Sequence, residues 1–263
     1  MISIITMTYN GEKWMNKCLD SFYKHKPIED YEWIIMDTGS TNKITKDVVE
    51  SYNDERLKYY FVEDANKSFS WVNNEASKYA KGEQLLFLNN DIEFVNDYSI
   101  KNMAIALEKY NAGCVGAKLL YPDSRVQHAG VIFRPNKLPW HMRSQSLSKE
   151  FLSKDRKYQA VTAACMLCNK EEFIKVGGFD ERYYYCFEDV DLCLKMRRLF
   201  KNRKPSIYCG NTEIVHHESR TILALDNKKQ KFLEAANLLR GKWGEEIEVD
   251  EINYLKDANY GKV

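Results

Sequence analysis

Over the first 120 residues, short apolar runs alternate with amphipathic stretches. Residues 2–7 are continuously apolar or small and predict a buried strand. Residues 11–25 place Trp14, Cys18, Leu19 and Phe22 at helical spacing. Residues 31–36 predict a second strand. Residues 44–53 follow as a helix, with Ile44, Val48, Val49 and Tyr52 on one face. The series continues with a strand over 57–62, a helix over 69–80, a strand over 84–88, a helix over 98–110 and a strand over 113–120. Strands that alternate with helices are joined by crossovers, and crossovers produce a parallel sheet with helices on its faces.

After residue 120 the alternation loosens. Residues 126–133 predict a strand. Residues 134–157 hold Pro135, Pro139 and many polar side chains, and predict a long surface loop. An apolar strand is expected over 160–168 and a short helix over 170–177, ended by Gly177-Gly178. A helix over 188–201 and a strand over 205–209 come next. Residues 222–240 predict a basic amphipathic helix, and the tail beyond Gly244 is acidic. Neither repeats nor Gly/Ser-rich linkers interrupt the chain, so one domain with an elaborated second half is expected.

Composition narrows the classes. Lys plus Arg is 39 and Asp plus Glu is 38, a formal charge of +1 that leaves no footprint for sequence-independent nucleic-acid binding. No apolar run reaches the roughly 18 residues of a membrane span. The first residues lack the basic region and cleavage site of a signal peptide, so a cytoplasmic location is expected. The seven cysteines are odd in number and scattered, unlike a disulfide framework. Cys165 and Cys168 form a CxxC inside an apolar run with no second pair at zinc spacing, and are expected to be structural thiols. Aromatic residues reach 13%, which suits either a sugar-binding groove or a general bias toward Tyr.

In open α/β sheets, ligands bind beyond the carboxyl ends of the strands. Three polar tips follow the apolar strands: Thr8-Tyr9-Asn10, Asp37-Thr38-Gly39-Ser40-Thr41 and Asn89-Asn90-Asp91. Each tip alone is equally a turn or a helix cap, but all three are expected at one edge of the sheet. One carboxylate beside amides is a poor metal cage by itself. It suits Mg²⁺ or Mn²⁺ held by one or two protein carboxylates plus substrate phosphates. Neither a GxGxxG nor a Walker A sequence follows the first strand, which argues against nicotinamide and P-loop chemistry.

In the second half, Glu188, Asp189 and Asp191 open a helix. Acids in a first turn favour the helix dipole, yet three exceed what a cap needs. Neighbours on a helix differ by about 100°, so Glu188 and Asp189 are expected to face different points. One would serve as a base while the other holds backbone or a substrate hydroxyl. His216 and His217 follow an apolar segment. Adjacent residues of a strand point to opposite sides, so at most one imidazole should reach the site and complete the coordination begun by Asp91.

These residues fall in blocks that resemble the family 2 glycosyltransferases, inverting enzymes of the GT-A fold. Ser3 to Asn10 resembles the opening strand with its TYN ending, and Ile35 to Thr41 the D-x-G-S-T turn. Asn66 to Asn74 resembles the N-x-G-F segment, and Phe87 to Asp91 stands where the DxD motif belongs. Gly177 to Glu181, followed by Phe187 to Leu192, resembles the GGFDE…EDxDL region, and Val215 to Ser219 the closing VHH block. Asn89 replaces the first acid of DxD, and Ser68 and Ala76 replace two glycines of the third block.

The resemblance implies a single Rossmann-like, mostly parallel sheet flanked by helices over residues 1–221. About 1–120 would form the nucleotide-binding half and 121–221 the acceptor half, with 222–263 packed on the same domain. It implies that Asp37 hydrogen-bonds the nucleotide base in a pocket lined by Thr8, Tyr9 and Asn10. Asn66 and Asn74, with Asn89 and Asn90, would shape the donor site. Asp91 would bind Mn²⁺ or Mg²⁺, with His216 the better match to the family's metal-contacting histidine and His217 the reserve. Asp189 would be the general base and Glu188 would help hold the acceptor. The expected reaction moves a sugar from a UDP- or dTDP-type donor to the hydroxyl of a saccharide or lipid-linked saccharide in surface polysaccharide assembly. A sugar-1-phosphate nucleotidyltransferase and a non-catalytic carbohydrate-binding subunit are the rival readings. The basic stretch Lys195, Arg197, Arg198, Lys201, Arg203 and Lys204 reads first as a solvated helix face. The 222–240 helix, with Ile222, Leu223, Leu225, Lys228, Lys229, Lys231, Phe232, Leu233 and Leu238, either packs on the core or rests peripherally on the inner face of a membrane.

Overall fold

A computed structural model describes residues 1–143, 147–199, 204–218 and 227–257. In chain order its elements begin β1 (Ile2–Thr8), α1 (Glu12–His25), β2 (Tyr31–Thr38), α2 (Ile44–Glu50), β3 (Leu57–Val62), α3 (Phe69–Tyr79) and β4 (Gln84–Leu88). They continue with β5 (Ile92–Phe94), α4 (Ser99–Lys109), β6 (Cys114–Leu120), β7 (Val126–His128), β8 (Val131–Phe133), β9 (Pro139–His141), α5 (Lys149–Ser153) and β10 (Arg156–Tyr158). The series closes with β11 (Cys165–Asn169), α6 (Lys170–Lys175), α7 (Glu188–Leu199), β12 (Ser206–His216), α8 (Lys228–Trp243) and α9 (Glu251–Asp257).

The fold is α/β, built on one central sheet of strand order β10-β12-β6-β11-β4-β1-β2-β3. The pairs β1–β2, β2–β3, β1–β4 and β6–β12 are parallel, whereas β11 runs antiparallel to both β4 and β6. Most strands on this path therefore point the same way, with β10 and β11 reversed. The continuous apolar character of β1 follows from burial on both faces. Ile4 packs into one core cluster and Ile5 into the other. The helices divide accordingly. Met15, Cys18, Leu19 and Phe22 of α1 pack with Met103 of α4 on one face. Val72 and Ala76 of α3 pack with Leu192 and Met196 of α7 on the other. Full burial of such side chains stabilises the fold by roughly 1.5–3 kcal/mol each.

Register places the tips. Thr8 pairs with Asp37 and Ile5 with Phe87, so the carboxyl ends of β1, β2 and β4 finish level at one edge. Because β11 starts opposite the end of β4, with Cys165 beside Leu88, the segment before it lies at that same edge. His216, the last residue of β12, is paired there with Ile92 of β5.

The second half departs from expectation in four places. Residues 126–133 are two strands, not one. Gly130, at φ 109°, separates them, and a Cβ there would lie 2.3 Å from the Tyr158 ring. Residues 134–157 hold β9, α5 and β10 in place of an unbroken loop. The strand expected over 160–168 starts only at Cys165. The strand expected over 205–209 runs to His216, because its outer part is paired with β5 and β6. The C-terminal helix begins at Lys228 and packs Ala235, Leu239 and Trp243 into the core of the α7 face. Lys201, Arg203, Ser219, Ile222, Leu223 and Leu225 lie outside the described residues. Among the described residues, no helix is long and apolar enough to cross a membrane.

Candidate active site

A cleft of about 490 Å³ opens at the shared strand edge. Its lining includes Thr8, Tyr9, Asn89, Asn90, Asp91, Glu188, Asp189 and His216, drawn from β1, the β4–β5 turn, α7 and β12. Asn90 Nδ2 donates to Thr8 Oγ1 at 3.1 Å and ties two of the tips together. Asn89 is held through its backbone N–H, which donates to the Ala164 carbonyl at 3.0 Å.

Asp91 is buried, and the His217 N–H donates to its carbonyl at 3.0 Å. The Asp91 carboxylate Oδ1 lies 3.1 Å from Nε2 of His216, and Asn89 Nδ2 lies 3.2 Å from the same nitrogen. The other ring nitrogen of His216 is 2.6 Å from Gln127 Oε1. His217 points away from the cleft. Its Nε2 contacts Glu93 Oε2 at 2.8 Å and its ring lies 4.8 Å from that of Trp14. Two adjacent histidines thus take opposite sides of one strand end. Among the described residues, no group of three or more His, Cys, Asp or Glu forms a metal cage. The available donors are one carboxylate and one imidazole, a set that fits a cation completed by substrate oxygens.

Glu188 and Asp189 start α7 and line the same cleft. They meet different surroundings there. Phe187, directly before them, holds φ at 73°, a left-handed conformation costly for a residue with a side chain. The Asp191 N–H donates to the Phe187 carbonyl at 2.9 Å, and the Phe187 ring meets Phe232 of α8 edge-on at 5.5 Å, so the strained turn is held from two directions. Asp189 is anchored by two backbone donors. The Ala163 N–H reaches Oδ2 at 3.1 Å and the Val190 N–H reaches Oδ1 at 2.8 Å. Ala163 is available because residues 162–164 leave the sheet and line the cleft. Glu188 Oε2 is buried with no hydrogen-bond partner among the described residues. Burial, reinforced by the neighbouring Asp189 carboxylate, pushes the Glu188 carboxyl up to about 8. Near neutral pH the Glu188 carboxyl is therefore held toward its protonated form.

Asp191, the third acid, faces the interior and is fully buried. Trp243 Nε1 donates to its Oδ1 at 2.7 Å, and the Lys242 ammonium sits 2.6 Å from the same oxygen. Lys242 also pairs with Asp180 at 2.8 Å. Arg182 and then Lys242 hold the Asp180 carboxyl far below the usual carboxylate range. Asp191 therefore fastens α8 to the helix that carries Glu188 and Asp189.

Four residues expected at the site lie outside the cleft lining. Asp37 is fully buried, and its carboxylate accepts from the Ser40 N–H at 2.9 Å and the Tyr59 hydroxyl at 2.6 Å. Asn10 accepts from the Thr41 N–H at 2.8 Å and so closes the same turn. Asn66 is exposed, and its carbonyl accepts from the Tyr184 hydroxyl at 3.1 Å. Asn74 turns away to brace the Gly177-Gly178-Phe179 turn. Its Nδ2 donates to the Phe179 carbonyl at 2.9 Å, and its Oδ1 accepts the Phe179 N–H at 2.8 Å. Gly178, at φ 62°, fits there because a Cβ would lie 2.4 Å from Asn74 Oδ1. Gln127 and Tyr59 were not singled out from the sequence. Neither stands in a motif, and each is brought to its partner only by strand pairing.

The model of the family described as glycosyl transferase family 2 matches residues 3–176. The O-antigen biosynthesis protein RfbC of Myxococcus xanthus is 32% identical over 224 residues, 83% of this chain and 17% of that protein. The chain thus spans about a sixth of that relative's length. Among solved structures, Staphylococcus aureus TarS 1–349 in complex with UDP-GlcNAc superposes with a TM-score of 0.67 at 18% identity, over 95% of this chain and 68% of that one. GalNAc-T7 with UDP, GalNAc and Mn²⁺ superposes with a TM-score of 0.68 at 11% identity, over 98% of this chain and 55% of that one. Both are likenesses of fold, that of the GT-A glycosyltransferases.

Proposed function

The chain belongs to glycosyl transferase family 2, and from that premise we propose that its cleft transfers a sugar, with inversion, from a nucleotide-diphosphate donor to an acceptor hydroxyl. The observation that carries the proposal is the meeting of two residue pairs in one cleft. Asp91 and His216 come from the β4–β5 turn and the end of β12, and the Glu188-Asp189 pair from the start of α7. The two solved neighbours hold UDP-GlcNAc in one case and UDP, GalNAc and Mn²⁺ in the other. Here they support a UDP-type donor and a divalent cation, and O-antigen biosynthesis in the Myxococcus relative supports a polysaccharide acceptor.

Asp91 and His216 would hold Mn²⁺ or Mg²⁺, with Asn89 beside them. When bound, the cation neutralises charge on the departing diphosphate. Thr8, Tyr9, Asn89 and Asn90 line the donor side. Asp37, Asn10 and Tyr59 shape that side from beneath, through the 39–41 turn. Asn74 and Asn66 act at one remove, by bracing the chain around Phe179 and Tyr184.

Asp189 is positioned by Ala163 and Val190 as the general base. The acceptor oxygen attacks the anomeric carbon as the bond to the diphosphate oxygen breaks. The proton passes to Asp189, and the diphosphate leaves with the bonding electrons. Protonated Glu188 has a hydrogen to donate, which suits it to hold an acceptor oxygen without competing for the proton. General-base assistance is worth about 10²–10⁴ in rate. Residues 1–221 act as the transferase unit in this reading, and α8 supports the helix bearing the base.

The test is incubation of the purified chain with a panel of nucleotide sugars, with and without Mn²⁺. The proposal expects cation-dependent binding, with slow hydrolysis of at least one donor. Binding of no nucleotide sugar under either condition would overturn it, and formation of a nucleotide sugar from a triphosphate and a sugar phosphate would favour the rival nucleotidyltransferase.

A further inference from the structure

Gln127 takes no part in the cleft lining, yet it makes the tightest contact to His216. It sits on β7, a three-residue strand added antiparallel to the edge of β6, and is 8% exposed. Its Oε1 lies 2.6 Å from His216 Nδ1, and its Nε2 lies 3.4 Å from the His216 carbonyl oxygen. A backbone carbonyl can only accept, so the amide must turn its NH₂ toward it and its oxygen toward the ring. An amide oxygen can only accept as well, so His216 Nδ1 carries the hydrogen. Nε2 then stands 3.1 Å from Asp91 Oδ1 and 3.2 Å from Asn89 Nδ2. A cation seated there would have one carboxylate oxygen and one ring nitrogen as its protein donors.

We infer that Gln127 is a positioning residue that fixes the ring orientation and the Nδ1–H tautomer of His216, and so presents Nε2 with Asp91 as a two-donor seat for a divalent cation. The inference rests on the metal role proposed above for His216. Partners that hold the second nitrogen of a ligating histidine typically change metal affinity by about 10–100-fold when removed.

Two measurements separate this inference from the reading beneath it. Two-dimensional ¹⁵N–¹H spectroscopy of the histidine rings, with His216 assigned by loss of its signal in His216→Ala, reports the tautomer in the absence of metal. The wild type and Gln127→Glu should show the Nδ1–H form, because a carboxylate also accepts from Nδ1. Gln127→Ala should show a mixture or the other tautomer. Titration of Mn²⁺, followed by the paramagnetic resonance signal of the free ion in the presence of UDP, reports affinity. Gln127→Ala should bind about 10–100-fold more weakly than wild type. Gln127→Glu should stay within about threefold of wild type. The inference is overturned if Gln127→Ala keeps the Nδ1–H tautomer and wild-type affinity, or if Gln127→Glu is as weak as Gln127→Ala. If His216→Ala binds Mn²⁺ like the wild type, the metal role itself fails and the inference falls with it, whatever tautomer the ring shows.

Discussion

At the strand tips that line the cleft and in the turn behind them, polar groups are already engaged. Asn90 reaches Thr8, Asp37 holds Ser40 and Tyr59, and Asn10 closes the turn at Thr41. On the helix wall, Glu188 is desolvated with an oxygen that has no partner among the described residues, and the residue before it is held in a left-handed conformation. The first wall rests on parallel register between long, doubly buried strands. The second rests on tertiary contacts from α8 and from the segment before β11. Satisfied groups make a rigid platform for a ligand, whereas a desolvated carboxyl pair has its protonation set by its surroundings, as proton transfer requires. Binding and chemistry should therefore be separable by mutation.

The largest effect should come from the helix wall. Asp189→Asn should lower transfer by about 10²–10⁴, measured as steady-state turnover with the donor identified by the panel. Next in size is a loss of stability. Asp191→Ala leaves the buried Trp243 N–H without its acceptor while Lys242 keeps Asp180, and losing a hydrogen bond to a charged buried group costs about 1.5–3 kcal/mol. Chemical denaturation should show that loss. An unchanged midpoint would mean that α8 is not fastened through Asp191.

Glu188→Gln should act mainly through pH. The wild-type carboxyl is raised from 4.5 to about 8 in the folded protein. Between these values the folded state binds a proton that the unfolded state has lost, so its stabilisation is fully present below about 4.5 and falls as pH rises through about 8. Glu188→Gln should flatten this slope, and melting temperatures of both proteins from pH 5 to 9 will show whether it does. The smallest effect is expected on the strand-tip wall. Tyr59→Phe removes one hydrogen bond to a buried carboxylate, worth about 1.5–3 kcal/mol of stability. Its kcat should stay near wild type while the donor KM rises a few-fold. A kcat loss as large as that of Asp189→Asn would erase the contrast between the walls.

How legible each wall was in the sequence follows the same division. The strands from β1 to β4 and β6 and their helices could be read from periodicity, since each is buried through its own local pattern. The tip residues Thr8, Asn89, Asn90 and Asp91 followed from strand ends alone. What escaped reading depends on distant partners. β5 and the outer half of β12 exist because they pair with each other and with β6. Gly130 looks like an ordinary strand residue until Tyr158 is packed over it. Residues 162–164 continue an apolar run, but they bend out of the sheet and supply the Ala163 N–H to Asp189. Asn74 stands in a recognisable block, yet its side chain serves a turn about a hundred residues away. Gln127 carried no signal, because its importance lies in one contact with His216.

The account is tested most directly by calorimetry of UDP binding to Asp91→Ala and Asp189→Asn side by side, each with and without Mn²⁺. It predicts that Asp91→Ala loses the Mn²⁺-dependent part of the affinity, while Asp189→Asn binds within about threefold of wild type, less than 1 kcal/mol. Equal losses in both variants, or a loss confined to Asp189→Asn, would contradict the division of the cleft into a binding wall and a chemical wall.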